Sequence, residues 1–384
     1  IYITLFLSIC SHGYSQEYTF ISNIYIVGNY KTQKETILRE VSFKIGDIVD
    51  NEEFEKQKIF SESNLIRTSL FNIVSIKHID MNINYLSNYI ERDIIIEVVE
   101  RWYYWPIIGI NLEDRNFSNW LKKPSTDKVT FELGGKIFNI TGRNQSLTAI
   151  HSFGYNKGFK FEYDNIVLDN QGKNFMGISL NRNYSKSLNL YSTNNEVYFH
   201  KSDSSFLTNN YSASICYYYR QKIRLLHKFT FLFDFTEIDS SILELNPHYW
   251  GGDDTKRRSL SLTYDLIMDY RDNKQYANNG YYIYLSLSGN VSDDVSFKYI
   301  SLKSETQFHK MYNLRLGSSF SHKLGVSFKN EKAYIFDRAI GYDNILLRGY
   351  EFYVADGQHY TTFSHSLKYS LIPRHLFKLG FLPF

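Results

Sequence analysis

Arg348 lies in the run Leu346-Leu347-Arg348-Gly349-Tyr350-Glu351, a spacing that could do recognition chemistry. A guanidinium offers a planar fork of donors that grips a carboxylate bidentately, and a glycine beside it permits close backbone packing. Residues for covalent chemistry are scattered: there is no HExxH, no serine-centred elbow and no phosphate loop. His151, His200, His227 and His309 fall in or beside alternating segments and read as surface or interior side chains of those segments. The chain has 2 cysteines, Cys10 and Cys216. If the first is lost with a leader, one mature chain holds neither a disulfide framework nor a cysteine zinc site. We therefore expect no catalytic residues, no metal, no cofactor and no enzyme activity.

Composition bounds the elements that must position that arginine. The 384 residues carry 43 Lys+Arg against 40 Asp+Glu, and a net charge of +3 gives nucleic acid no support as a partner. Aromatics reach 17%, with 33 Tyr, 29 Phe and 4 Trp, while proline is held to 5. A mean hydropathy of -0.36 excludes a multi-helix membrane protein. Aromatic-rich and proline-poor reads as β-rich, although a codon-biased genome enriches Tyr, Asn, Ile and Lys without structural cause. Pattern has to decide.

Residues 1–15 begin with an apolar run, Ile1 to Cys10, followed by the small-x-small site Gly13-Tyr14-Ser15. They read as a secretory signal peptide whose basic start is missing; a buried strand is the alternative. Ile9 before Cys10 argues against lipidation there.

Residues 17–101 read as a small α/β module. A strand through Ile24, Ile26 and Val27 stops at Gly28-Asn29, and Thr32-Gln-Lys-Glu35 matches a capping box opening a helix. A second helix starts at Asp50 with Glu53 in its first turn, and strands at 74–79 and 93–100 complete the order β-α-α-β-β. With Ile26-Val-Gly-Asn-Tyr-Lys-Thr32 leading, Phe43-Lys-Ile-Gly-Asp47 between the helices and Ser69-Leu-Phe71-Asn-Ile-Val74 entering the second strand, the segment resembles a POTRA domain. That resemblance implies peptide handling by strand addition to an exposed sheet edge.

From residue 102 to 384 the chain turns to long period-two stretches. In Phe229-Thr-Phe231-Leu-Phe233-Asp-Phe235-Thr236 four Phe share one face. Leu260, Leu262, Tyr264, Leu266 and Met268 alternate with Ser, Thr and Asp, and similar patterns recur around 281–288 and 362–371. A soluble sandwich also alternates, but segments of ten or more residues fit tilted membrane strands better than the usual five or six. Twelve strands are expected, at 105–111, 129–139, 146–155, 159–167, 175–185, 210–220, 228–246, 258–270, 281–289, 297–311, 314–328 and 360–372. Short turns such as 139–144 alternate with long loops such as 331–359, and Tyr103, Trp105, Tyr249 and Trp250 suit interfacial girdles.

Placed in the loop before the twelfth strand, Leu347-Arg348-Gly349-Tyr350 resembles the signature of the BamA family of outer-membrane assembly and two-partner secretion proteins, the bacterial surface antigen family. The segment Asp269-Tyr-Arg271-Asp272-Asn273 to Gly280 resembles the family's turn before the ninth strand, without its usual proline. The resemblance implies an α+β POTRA domain in the periplasm followed by an antiparallel transmembrane β-barrel in the bacterial outer membrane. In it, Arg348 folds back into the lumen as a loop latch. In the family the partner carboxylate comes from a strand soon after the twelfth, where this sequence has only His375 to Phe384, so the partner is not identifiable; inward-facing Asp265 and Glu305 are the candidates, the alternative being that each is a solvated lumen charge. The family closes its barrel with about sixteen strands, and an open edge is unacceptable in lipid. We therefore expect a fragment at both ends, with twelve strands and a stub of a thirteenth. The implied function is insertion or translocation of polypeptides, with unfolded outer-membrane or secreted polypeptides, accessory outer-membrane lipoproteins and the lipid bilayer as partners. The alternatives are a passive or gated porin with a periplasmic domain, and a barrel anchoring a lost exported enzyme.

Overall fold

A computed structural model describes residues 18–84, 89–112, 128–169, 171–274, 276–293, 298–313, 315–342, 345–350 and 353–371. The signal-peptide reading of 1–15, Glu351 and the stub beyond the twelfth strand lie outside the described residues. Two compact units emerge, one of residues up to Tyr30 with Glu40–Arg101, the other of Lys31–Arg39 with the residues from Trp102 onward.

In the first unit a four-stranded sheet is ordered β2-β1-β4-β3. Its strands are β1 (Tyr18–Val27), β2 (Ile48–Asp50), β3 (Phe71–Asn84) and β4 (Tyr89–Glu100). β1 runs parallel to β4 and the other pairs are antiparallel. The short helix α1 (Lys34–Leu38) groups with the second unit; α2 (Asn51–Arg67) packs on the sheet. In β1 the register against β4 jumps between Ile21 and Asn23. Burial changes phase there, from Thr19 and Ile21 to Ile24, because the extra residue turns the next side chains over. Ile94, Ile96 and Val98 of β4 face the same core as Phe54 and Leu65 of α2, and Phe43 meets Phe54 at 5.7 Å between ring centroids. Gly28 ends β1 at φ +92°, where a Cβ would lie 2.0 Å from the Val98 carbonyl oxygen. No other residue fits.

Asp50 caps α2 as its sequence suggests, its carboxylate accepting from the amides of Glu52 at 2.9 Å and Glu53 at 3.4 Å. The expected capping box at Thr32 does not form. α1 begins at Lys34 with Gln33 preceding it and no side-chain cap. The Thr32 hydroxyl is engaged elsewhere, 3.1 Å from the Tyr103 hydroxyl and accepting from the Asn139 amide at 2.9 Å. A tertiary bond has displaced the local one.

The second unit is dominated by one twelve-stranded antiparallel sheet. Its strands are β5 (Tyr104–Leu112), β6 (Val129–Phe138), β7 (Ser146–Gly154), β8 (Lys157–Val167), β9 (Asn174–Ser185), β12 (Thr208–Lys222), β13 (Leu225–Ile238), β14 (Lys256–Asp269), β15 (Gly280–Ser292), β16 (Lys298–Met311), β17 (Leu316–Lys329) and β20 (His359–Tyr369). Each pairs with its neighbours in this order, and among the described residues β5 and β20 pair on one side only. The twelve expected strands are all present with shifted ends. The largest correction is at 228–246: the strand stops at Ile238, and Asp239 caps helix α3 (Ser240–Leu245) by accepting from the Ser241 amide at 3.1 Å. The sequence reading also missed the hairpin β10 (Ser187–Thr193) and β11 (Glu196–Lys201), and the pair β18 (Arg338–Ile340) and β19 (Ala355–Asp356).

Polarity across this sheet is inverted. One lateral row reads Ile215, Phe231, Leu262, Gly289, Ile300, Phe328. Its members Ile215, Phe231, Leu262, Ile300 and Phe328 are each half or more exposed. The adjacent row, on the other face, reads Cys216, Thr230, Thr263, Ser288, Ser301, Ser327, and its Ser301 and Ser327 are buried. One rim carries the connections 139–145, 168–173, 223–224, 270–279 and 312–315; the other carries the longer 113–128, 186–207, 239–255 and 330–358, with 155–156 and 293–297.

Candidate functional site

The polar face holds the two carboxylates singled out by sequence. Asp265 of β14 is buried and accepts from the Tyr284 hydroxyl at 2.9 Å. Glu305 of β16 accepts from Gln307 Nε2 at 2.6 Å and lies 3.8 Å from Lys323 Nζ. Both therefore have partners from neighbouring strands. The forked arginine-carboxylate pair on this face is a different one. Arg271, just past β14, donates from Nε to Asp269 Oδ1 at 2.8 Å and from Nη2 to Oδ2 at 3.0 Å. Its Nη1 reaches Gln307 Oε1 at 3.0 Å, and its guanidinium stacks 4.5 Å from the Tyr282 ring centroid.

The fork is placed by the turn that follows it. Asp272 Oδ1 accepts from the amides of Asn273 at 2.8 Å and Asn278 at 2.9 Å, closing residues 272–278 into a tight loop. Gly280 opens β15 at φ +104°, and a Cβ there would come within 2.2 Å of the Tyr270 carbonyl oxygen. The sequence reading marked this segment as a turn without assigning the Asp269–Arg271 pair; the i, i+2 acid-arginine spacing around Tyr270 was the available signal.

At the opposite rim, the long connections build a small apolar core of their own. Leu188 and Leu190 of β10, Leu207, Ile238, Ile242 of α3, Tyr249, Trp250 and Tyr334 pack together. The loop 330–358 is tied to this core by backbone bonds from the Tyr334 amide to the His248 carbonyl at 2.9 Å and from the Val354 amide to the Asn195 carbonyl at 2.8 Å. Arg338 sits 5.1 Å from the Tyr334 ring and 5.8 Å from the Tyr342 ring, and donates to the Asn189 carbonyl at 3.3 Å. The Tyr342 hydroxyl donates to Asp356 at 2.5 Å, and Ser192 bonds the same carboxylate. Burial, then the hydrogen bond to Asp356, raises the Tyr342 phenol above its ordinary value, so it stays a donor.

The motif lies further out on the same loop. Leu346, Arg348, Gly349 and Tyr350 are exposed and Leu347 is half-buried. Arg348 has no side-chain partner among the described residues, and Asp265 and Glu305 are not brought to it. The Tyr350 amide donates to the Leu347 carbonyl at 3.0 Å, and its ring meets Tyr353 edge-on at 5.7 Å. Gly349 has φ +85° with nothing within 4 Å of a built Cβ, so the turn needs glycine for its backbone angle and not for close packing. In loop 330–358 the arginine that is tied down is thus Arg338, which no pattern in the sequence marked.

Among the described residues no group of three or more His, Cys, Asp or Glu could hold a metal ion. Of the histidines named above, His151 lies on the apolar face 6.1 Å from Phe153, and His227 is 2.9 Å from the Tyr264 hydroxyl.

No protein-family profile matches the chain, and no curated protein is similar to it. Among solved structures, the chain is similar to BamA from Haemophilus ducreyi lacking POTRA domains 1-3, at 13% identity and a TM-score of 0.45 over 86% of this chain and 60% of that one. It is also similar to CdiB from Acinetobacter baumannii, at 14% identity and a TM-score of 0.47 over 92% of this chain and 61% of that one. CdiB from Escherichia coli gives 9% identity and a TM-score of 0.43 over 97% and 79%. The chain thus spans about three fifths of the length of the first two.

Proposed function

We propose that the chain is part of an outer-membrane protein of the BamA type that inserts polypeptides into the outer membrane or translocates them across it. The observation that carries this reading is the inverted twelve-stranded sheet: apolar side chains point outward in continuous lateral rows, and hydroxyls and paired charges line the other face. In water such a face would aggregate; in a bilayer it is the lipid surface of a barrel wall. The Leu347-Arg348-Gly349-Tyr350 run in the connection before the last described strand supports the BamA type over an unrelated barrel.

On this reading the first unit is a periplasmic POTRA domain. Among the described residues β3 is an edge strand of fourteen residues that pairs with β4 alone, and its other side offers main-chain donors and acceptors to an extended client. The work is binding and strand exchange, without covalent chemistry or cofactor. We read the short-turn rim, where β5 enters the sheet with Tyr104 paired to Ile137 beside the connection 139–145, as the periplasmic side and the long-loop rim as the cell-surface side. The paired charges Glu305–Lys323 and Asp269–Arg271 also suit a water-filled lumen, which is what favours the porin alternative.

The test compares wild type with Arg348→Ala and Arg338→Ala, reading outer-membrane levels of other barrel or secreted proteins and protease access to loop 330–358. Loss of client proteins in Arg348→Ala with the loop still protected is expected if the motif acts on clients or on a state other than this one. Arg338→Ala exposes the loop to cleavage. Normal client levels in both variants, with only a change in conductance, would leave the porin reading standing instead.

A further inference from the structure

The apolar face ends, at its long-loop rim, in a band of cations. Row by row along the register, Phe161, Leu180, Ala213, Phe233 and Leu260 give way to Phe159, Arg182, Tyr211, Phe235 and Arg258 one step nearer the rim. Beyond these come Lys157 and Tyr184. The side chains form one connected string. The Arg182 guanidinium lies 4.7 Å from the Tyr184 ring centroid and 4.6 Å from that of Tyr211. Tyr211 meets Phe235 at 6.1 Å, with Arg258 at 6.0 Å from Phe235. Tyr184 meets Phe206 at 5.3 Å, and Lys157 and Lys186 stand 5.7 Å and 5.5 Å from that ring.

The side chains of these four cations have no carboxylate partner among the described residues; Asp293 accepts from Arg258 only at the backbone amide, at 3.2 Å. Nearby acids are engaged otherwise: Glu237 with Lys256 at 3.1 Å, and Asp203 with Lys128 at 3.6 Å, while Lys186 donates only to the Asp203 carbonyl at 3.1 Å. Arg182, Arg258 and Lys157 are exposed. The rings stand beside the guanidinium groups, at 4.6–4.7 Å for Arg182 and 6.0 Å for Arg258, without neutralising them.

We propose that this band is a docking surface for the phosphate groups of an anionic lipid in the outer leaflet, its acyl chains lying along the Phe233 and Leu260 row. The inference rests on the bilayer-facing reading of the sheet. What selects a lipid over a soluble anion is position: the cations sit where an apolar face ends, at the height of headgroups, and cation and apolar row are presented together. What selects phosphate is the pair of guanidinium forks, which match its oxygens bidentately.

The experiment refolds the full chain into phosphatidylcholine vesicles, alone or containing a bisphosphorylated diglucosamine lipid or its dephosphorylated form. Wild type, the double variant Arg182→Gln/Arg258→Gln and the charge-keeping Arg182→Lys/Arg258→Lys are compared for retention of the labelled lipid. Each cation near a membrane surface is worth roughly fivefold in affinity, so the Gln pair should weaken binding of the phosphorylated lipid by about 25-fold and abolish the preference over the dephosphorylated one. The Lys pair should recover only part of the preference, because it keeps the net charge but loses the bidentate fork. Insertion into plain phosphatidylcholine with equal retention in wild type and the Gln pair would overturn the lipid site alone; failure of the wild type to insert would overturn the bilayer-facing reading and this inference with it. Displacement of the bound lipid by millimolar inorganic phosphate would also overturn it, since the surface would then be a phosphate site indifferent to the acyl chains.

Discussion

Both units are built on alternating strands, yet they bury opposite residues. In β4 the alternate side chains Ile94, Ile96 and Val98 are buried beneath α2, while Val99 on the reverse face is 47% exposed. In β13 the alternate Phe229, Phe231 and Phe233 are 40–50% exposed, and their neighbours Thr230 and Asp234 face the polar side. Period two alone says that a sheet has two unlike faces; it does not say which faces inward. The difference comes from what else the chain supplies. The first unit has a helix with Phe54 and Leu65 to cover the apolar face, whereas the sheet of the second unit has no layer over its outward rows among the described residues, so that surface needs another solvent.

Truncating a ring on each side of this comparison should give the largest contrast. Phe54 is fully buried and meets Phe43, His78 and two cations, so Phe54→Ala should destabilise the first unit by about 3–5 kcal/mol. Hydrogen exchange on the full chain should show β1, β3 and β4 losing protection together while β12 to β17 keep theirs. Equal loss in both units would break the division between them.

A charge placed on either face of the second sheet gives the next largest effect. Phe231→Arg puts a guanidinium mid-row on the outward face and should cost roughly 2–4 kcal/mol in a bilayer. Ser288→Arg, in the polar row opposite Thr263, should cost about 1 kcal/mol or less, by analogy with solvated charges. Urea titration of the protein folded in vesicles measures both. A reversed order would mean that the polar row, not the apolar one, meets lipid.

How much of this was legible in the sequence follows from the same physics. The twelve long strands could be read because apolar residues recur at every second position along much of their length, most cleanly from Phe229 to Phe235 and from Leu260 to Met268, whatever surrounds them. The hairpin at 187–201 and α3 could not, because Leu188, Leu190 and Ile242 become a core only when three connections meet. Asp239 before Ser240-Ser241 was a readable helix start that the preceding alternation masked. At Thr32 a sound local pattern lost to a tertiary partner, Tyr103. Arg348 was found by motif; Asp269–Arg271 was missed although its i, i+2 spacing was a local signal, and Arg338 could not be read because Asn189, its acceptor, lies on a different connection.

The smallest predicted effect is a pH dependence confined to the first unit. His78 of β3 faces Lys58 of α2, Arg92 of β4 and Asp80 of its own strand, with Glu55 beside Lys58. Lys58 Nζ lies 3.1 Å from His78 Nδ1; an ammonium can only donate, so Nδ1 accepts and the ring proton is on Nε2, which is 4.0 Å from Asp80 Oδ1. Burial, then the charges of Lys58 and Arg92, depress the His78 pKa below its ordinary 6.5. The unfolded chain therefore binds more protons than the folded one as pH falls through that value, and stability rises with pH. The contribution is fully present above about pH 6.5, is lost as pH falls from there to the folded pKa, and changes no further below it. His78→Gln, which can keep an acceptor for Lys58 but cannot titrate, should flatten that slope while leaving stability at pH 8 nearly unchanged. Urea midpoints of the first unit, followed by exchange in β3 between pH 5 and pH 8, check this. An unaltered slope in the variant would assign the acid sensitivity to the carboxylates paired with Lys58 and Arg92 instead of the ring.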